Sequence, residues 1–183
     1  IVREADELVK SGVKEIMLIG QNVNSYGLDS DEGVSFAQLL HRVSQTGIER
    51  IRFMTSHPKD SSEELIKTVK KYPNICNSLP LPMQSGSNGI LKMMNRKYTR
   101  EHYLSLIEKA RREIPGVFLS TDVIVGFPGE TEEDFALTMD MMERVRFDAA
   151  YTFIYSRRTG TRAAEFENQI DRAVKQRRIA RGL

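Results

Sequence analysis

From Val117 to Val125 the chain carries an apolar run broken only by Ser120, Thr121 and Asp122, and it then turns through Gly126-Phe127-Pro128-Gly129-Glu130. So apolar a run reads as a buried strand. A helix follows at once, with Thr131 offering an N-cap oxygen and Asp134 at the complementary capping-box position. A buried strand that hands over to a helix through a short polar turn belongs to a parallel α/β fold, and such folds build their ligand sites at these turns. Gly126 and Gly129 would let the backbone approach a ligand without a Cβ, and Pro128 stiffens the turn. An ordinary strand-to-helix loop would carry the same residues.

The remaining chain repeats this unit. Arg3 to Ser11 reads as a helix stopped by Gly12, and Glu15 to Ile19 as a short buried strand. The loop Gly20-Gln21-Asn22-Val23-Asn24-Ser25-Tyr26-Gly27 is dense in amides, which suit an amino acid, a ribose or a base edge as well as plain turn chemistry. Phe36, Leu39, Leu40 and Val43 have the spacing of a core-facing helix. The strand Glu49–Met54 ends in Thr55-Ser56-His57-Pro58-Lys59, and Asp60 caps the next helix. Asn77 to Ser87 reads as an irregular strand, because Pro80 and Pro82 each remove a ladder donor, with a hydroxyl- and amide-rich turn, Gln84–Ser87, at its end. Thr99 caps a helix with Tyr103, Leu106, Ile107 and Ala110 inward. After the central turn, a helix carries Phe135, Met139 and Met142, and Asp148–Tyr155 is the last strand. The result is an α/β architecture, a parallel (β/α) barrel or part of one, whose informative loops all follow strands.

The chain has 183 residues, with 40% hydrophobic content and a net charge of +2, enough for one domain with a core. That charge is uneven: residues 157–183 hold eight Lys/Arg against three Asp/Glu, net +5, which leaves −3 for residues 1–156. A basic end suits a polyanion or a solvated helix face. No apolar run reaches the length of a membrane span, and the single cysteine, Cys76, allows no internal disulfide, so a cytoplasmic setting is expected. One thiolate also cannot build a zinc or iron–sulfur site. The chain begins inside a helical pattern at Ile1, which suggests a fragment. Physics alone yields a ligand-binding α/β domain without a reaction.

The motifs say more. Gly20–Gly27, Thr55–Lys59, Leu81-Pro82-Met83-Gln84-Ser85-Gly86-Ser87, Met94-Asn95-Arg96 with Tyr98-Thr99-Arg100, and Asp122–Glu130 together resemble the radical S-adenosylmethionine domain of methylthiotransferases, in the same order. The Gln-Asn-Val-Asn-Ser and Thr-Ser-His-Pro forms resemble its MiaB-type subgroup. The resemblance implies a partial (β/α) barrel of the radical-SAM type whose first strand and cluster loop precede Ile1. It also implies a core over residues 1–167 and, from 168 to 183, the start of a helical linker toward an RNA-binding TRAM domain. The implied cofactors are S-adenosylmethionine and a 4Fe–4S cluster held upstream. The implied reaction adds a methylthio group to C2 of an isopentenylated adenosine beside the anticodon, with the tRNA anticodon loop, a reductant and a sulfur donor as partners.

By motif match, Gln21, Asn22, Gln84, Ser85, Asp122, Gly126, Gly129 and Glu130 would bind the cofactor, and Asn24, His57, Arg157 and Thr161 would face the substrate; no catalytic residue and no metal ligand is assigned in this chain. Pro80 stands where the family usually has His, and Arg158 and Arg162 where it often has Pro. By this reading the isolated chain is inert. The alternatives are a relative acting on another tRNA adenosine or a ribosomal protein, and a cluster-free RNA-binding module using the basic tail.

Overall fold

The computed structural model describes residues 1–27, 33–54 and 63–181. The loop carrying His57 and the Asp60 cap lie outside them. The chain forms two compact units, Ile1–Leu81 with Leu106–Leu119 and Pro82–Ser105 with Ser120–Leu183.

The first unit runs α1 (Val2–Lys10), β1 (Glu15–Leu18), a 3-10 turn (Val23–Ser25), α2 (Phe36–Ser44), β2 (Arg50–Phe53), α3 (Glu63–Lys71) and β3 (Ser78–Pro80). β1 and β2 are parallel, with Ile16 opposite Ile51 and Leu18 opposite Phe53. Ile51 also bridges Ile75 in parallel. Ser35 and Gln38 form a full capping box on α2, satisfying orphan N–H groups at its first turn. The expected stripe is buried as read: Phe36, Leu39, Leu40 and Val43 are all 4% exposed or less. Phe36 meets Phe53 edge to face at 5.4 Å, which seats α2 on the sheet.

β1 departs from the expectation of a buried strand, since Met17 and Ile19 are 47% and 76% exposed. Its ladder partner among the described residues is β2 alone, so one edge and part of one face stay open.

The second unit contains α4 (Asn88–Met93), α6 (Glu132–Val145), β5 (Ala149–Ile154), a second 3-10 turn (Arg162–Glu165) and α7 (Arg172–Ile179). α5 (Arg100–Glu113) and β4 (Phe118–Val125) each begin in one unit and end in the other. β4 and β5 are parallel, in register from Ser120 opposite Ala149 to Val125 opposite Ile154. β4 alternates strictly: Leu119, Thr121, Val123 and Val125 are buried, while Ser120, Asp122 and Ile124 are half-buried. Only one of its faces is sealed, and the polar interruptions lie mainly on the other.

The two-proline segment keeps its place through a main-chain bridge, Gln84 opposite Val123, with side-chain bonds beside it. The Met83 N–H donates to Thr121 Oγ1 at 2.9 Å. The Gln84 N–H then donates to Asp122 O, and Gln84 O accepts from the Ile124 N–H. The buried Tyr98 hydroxyl donates to Pro82 O and Met83 O, each at 3.1 Å, and burial pushes its pKa up to about 12.

α6 also differs in register from the reading. Its buried residues are Phe135, Thr138, Met141 and Val145, with Met139 and Met142 half-buried. Thr138 looks polar in sequence yet belongs in the stripe, because its Oγ1 accepts the Gly86 N–H at 2.9 Å and donates to Asp134 O. A Cβ on Gly86 would lie 2.3 Å from Leu137 O. Gly86→Ala should therefore destabilise the chain by about 3 kcal/mol, since backbone must move. Gly116→Ala (φ +71, with open space around its Cβ) should cost only about 1 kcal/mol of left-handed strain. Urea unfolding of the two variants checks the ranking.

Candidate functional site

The turn after β4 is closed on itself. The Gly126 N–H donates to Glu130 Oε2 at 2.8 Å, and the Glu130 N–H donates to Phe127 O. Glu130 is 2% exposed, and its carboxylate meets the Arg178 guanidinium at 2.6 Å, itself 4% exposed at the side chain. Burial raises the Glu130 carboxyl above its ordinary value, while the Gly126 N–H and Arg178 pull it back.

The two glycines do not leave space for a ligand where their Cβ atoms would be. Those places face the chain's own Lys175 stem, 2.4 Å from an added Cβ at Gly126, and the Asn168 side chain at Gly129. Glu130, Gly126 and Gly129, expected as cofactor contacts, form a turn held by its own N–H groups and by the C-terminal segment.

Beside this turn, at the carboxyl ends of β4 and β5, lies a cavity of about 490 Å³. Gln84, Asp122, Ile124, Phe153, Tyr155, Arg158 and Thr161 are among its lining residues. Gln84 reaches it with a left-handed backbone, φ 66, a strain that non-glycine residues keep where function or packing demands it. Asp122 projects from the half-open face of β4, and burial pushes its carboxyl above the ordinary aspartate range. The Tyr155 hydroxyl is buried with no hydrogen-bond partner among the described residues. A polar wall with one apolar side suits a nucleoside, whose base wants Ile124 and Phe153 and whose hydroxyls want Asp122, Gln84 and Thr161.

Other expected residues stand elsewhere. Ser85, 1% exposed, accepts the Ser87 N–H and lies 3.4 Å from Thr138 Oγ1; its hydroxyl organises the approach to α4 and does not line the cavity. Arg157 turns its guanidinium onto Ala164 O, and Arg158, read as a departure from a motif and as part of the basic tail, lines the cavity. Tyr155 was not singled out either. The available signal was its position, an aromatic at the carboxyl end of the last strand.

In the first unit the amide loop forms part of a second cavity of about 680 Å³, lined by Met17, Ile19, Gln21, Asn22, Ser25 and Tyr26 among others. Asn22 Nδ2 donates to Ser25 Oγ at 2.5 Å, and the Ser25 N–H returns to Asn22 O. Gln21 is exposed toward solvent, whereas Asn24, expected on the substrate side, is 8% exposed and is not among the lining residues. Gly27 closes the loop, since a Cβ there would overlap Val34 O.

The parallel α/β fold and these strand-end loops define a superfamily. The chain belongs to the Radical SAM superfamily, whose family model matches residues 1–142. It is 60% identical over 182 residues to the tRNA-2-methylthio-N(6)-dimethylallyladenosine synthase of Thermoanaerobacter pseudethanolicus, a match covering 99% of this chain and 39% of that protein. The chain thus spans well under half the length of such relatives. Among solved structures it resembles coproporphyrinogen III oxidase (HemN) from Escherichia coli, with a TM-score of 0.70 at 17% identity over 98% of this chain and 42% of that one. The methyltransferase TsrM from Kitasatospora setae, solved with cobalamin and a 4Fe–4S cluster bound, gives a TM-score of 0.67 at 16% identity over 86% and 31% of the respective chains. At these identities the likeness is one of fold.

Asp122 yields a signed prediction. Its native pKa is raised, so the folded state holds the proton more tightly than the unfolded chain, and stability falls as pH climbs from the ordinary aspartate range through the native one. Asp122→Asn should raise the urea midpoint at pH 7 and leave it nearly unchanged in acid below about pH 3.9. A gain that is larger in acid would contradict this assignment.

Proposed function

We propose that this chain is the central radical domain of a tRNA methylthiotransferase that acts at C2 of an isopentenylated adenosine beside the anticodon. The observation that carries this reading is the 60% identity, over nearly the whole chain, to a protein named for that product. In such a domain S-adenosylmethionine would supply the radical chemistry, with Asp122 and Gln84 holding its nucleoside half.

This chain's donors fit the nucleoside half of that cofactor. The β4–β5 cavity offers Asp122 and Gln84 to ribose hydroxyls and Ile124 and Phe153 to the base. The chain does not fit the cluster, because Cys76 is its only cysteine and no metal-holding group of His, Cys, Asp and Glu occurs among the described residues.

RNA contact is assigned to the exposed loop after β5 more than to α7. Arg177, Arg178 and Arg181 converge on Glu132, and Arg178 also pairs with Glu130, so these guanidiniums are engaged within the chain. Arg158 and Arg162 are exposed and stand near the cavity mouth or at the turn beyond it. Each side chain that contacts a single-stranded phosphate adds about 0.7 to the slope of log affinity against log salt. Replacing Arg158 and Arg162 by Ala should therefore flatten the slope for an anticodon stem–loop by about 1.4, and Arg177→Ala should leave it nearly unchanged. An unaltered slope in the double variant removes the loop from the RNA interface.

The activity itself is testable by exchange. This segment, put in place of its counterpart in the Thermoanaerobacter pseudethanolicus enzyme, should sustain methylthiolation of tRNA, read by mass spectrometry of the nucleosides. A folded chimera with its cluster intact that leaves isopentenyladenosine unmodified would overturn the reading. Methylthiolation of a different adenosine, or of a ribosomal protein, would favour the other branches of the family.

A further inference from the structure

The C-terminal segment packs on the turn after β4 at three independent points. Asn168 O accepts the Gly129 N–H at 2.9 Å. The aliphatic stem of Lys175 occupies the place of the missing Gly126 Cβ. Arg178 donates to both the main-chain oxygen and the carboxylate of Glu130, at 3.1 and 2.6 Å, and that carboxylate holds the Gly126 N–H. Lys175 adds a fourth contact: its Nζ donates to Tyr155 O at 3.0 Å and lies 5.1 Å from the Tyr155 ring centroid. Tyr155 lines the cavity, and its ring meets Phe127 of the turn edge to face at 5.2 Å.

Tyr155, which lines the cavity, and the Gly126–Glu130 turn, which follows the strand carrying Asp122 and Ile124, are thus both held by one short helix. Within itself the turn is joined by the Gly126 and Glu130 N–H groups, and Phe127 packs on Tyr155 and Phe166. Gly126 and Gly129 both adopt left-handed backbone, φ 74 and 82, and β4 ends at Val125. These clamping residues also lie outside the stretch matched by the family model, residues 1–142.

We infer that Asn168–Arg178 is a rear clamp of the turn after β4, in which Arg178 is a positioning residue acting through Glu130 on Gly126 and so on the strand that carries Asp122 and Ile124 to the cavity. The inference deepens the reading of the cavity as a nucleoside site and rests on it for its effect on affinity. Physically, Arg178 keeps the Glu130 carboxylate ionised and aimed inward. Without that partner the buried carboxylate must take a proton or swing to solvent, and either change weakens or releases the Gly126 N–H. The turn then samples other backbone geometries, and the cavity wall next to it is no longer preorganised. On this account α7 belongs to the core and is more than the start of a linker.

The experiment uses the 183-residue chain with Arg178→Gln, Arg178→Lys and Arg177→Gln as variants. Amide hydrogen exchange at Gly126 and S-adenosylmethionine affinity by NMR titration are both read. Arg178→Gln is expected to speed Gly126 exchange and weaken the cofactor, each by about tenfold or more. Arg178→Lys, which keeps the charge and loses the planar fork, should recover part of both. Arg177→Gln removes an equal charge from the same helix and should change neither, and amides of β1 and β2 should stay as they are in every variant. If Arg178→Gln does not fold, the Arg178→Lys chain supplies the same comparison at smaller amplitude.

Unchanged Gly126 exchange in the Arg178 variants overturns the inference. So does a uniform rise across the second unit, which would mark general loosening. Faster Gly126 exchange with undiminished affinity also overturns the positioning role. A parent chain that binds no S-adenosylmethionine, but whose Gly126 responds to Arg178 as described, overturns the nucleoside reading and supports the clamp.

Discussion

A single buried carboxylate sets the geometry of the second unit. Glu130 takes the Gly126 N–H on one side and the Arg178 guanidinium on the other. The pair is nearly sealed from water, where an ion pair is tolerated only if its lone pairs and donors are satisfied. Here they are, since Arg178 also reaches Glu130 O and Glu132. The end of β4, the start of α6 and the C-terminal helix are therefore tied at one point. Asp122 and Ile124 project from the strand that leads into this knot, so the cavity side of the sheet inherits its precision.

The fold was legible where a local pattern decides the outcome. The buried stripe of α2, the Thr131–Asp134 capping box and the Gly12 stop follow from spacing and side-chain chemistry within one turn of helix. The α6 register was not legible, because Thr138 is buried through a hydrogen bond to Gly86, a residue 52 positions away. Propensity counts Thr as an outward residue there and cannot see its partner. Likewise, β4 reads as buried throughout from composition, whereas its alternation separates a sealed face from one that bears Asp122.

The site shows the same division. Motif resemblance drew attention to the Gly126–Glu130 turn, but it could not say that the space beside Gly126 and Gly129 belongs to Lys175 and Asn168. A glycine in a ligand-binding motif invites a ligand explanation, and the actual neighbour is set by a helix some fifty residues on in the chain. Arg157 and Arg158 differ in nothing that sequence records, yet one caps Ala164 O and the other lines the cavity. Their roles are set by the backbone direction after β5. Superfamily membership supplies the chemistry, and the placement of each side chain supplies its part in it.

The most direct measurement is a crystal structure of this chain soaked with S-adenosylmethionine. The adenosine is expected in the β4–β5 cavity, with its ribose hydroxyls on Asp122 and Gln84 and its base against Ile124 and Phe153, and with the Gly126–Glu130 turn unmoved. Density for the nucleoside at any other place, with the cavity left to water, would contradict the assignment of this strand-end site and with it the proposed role of the domain.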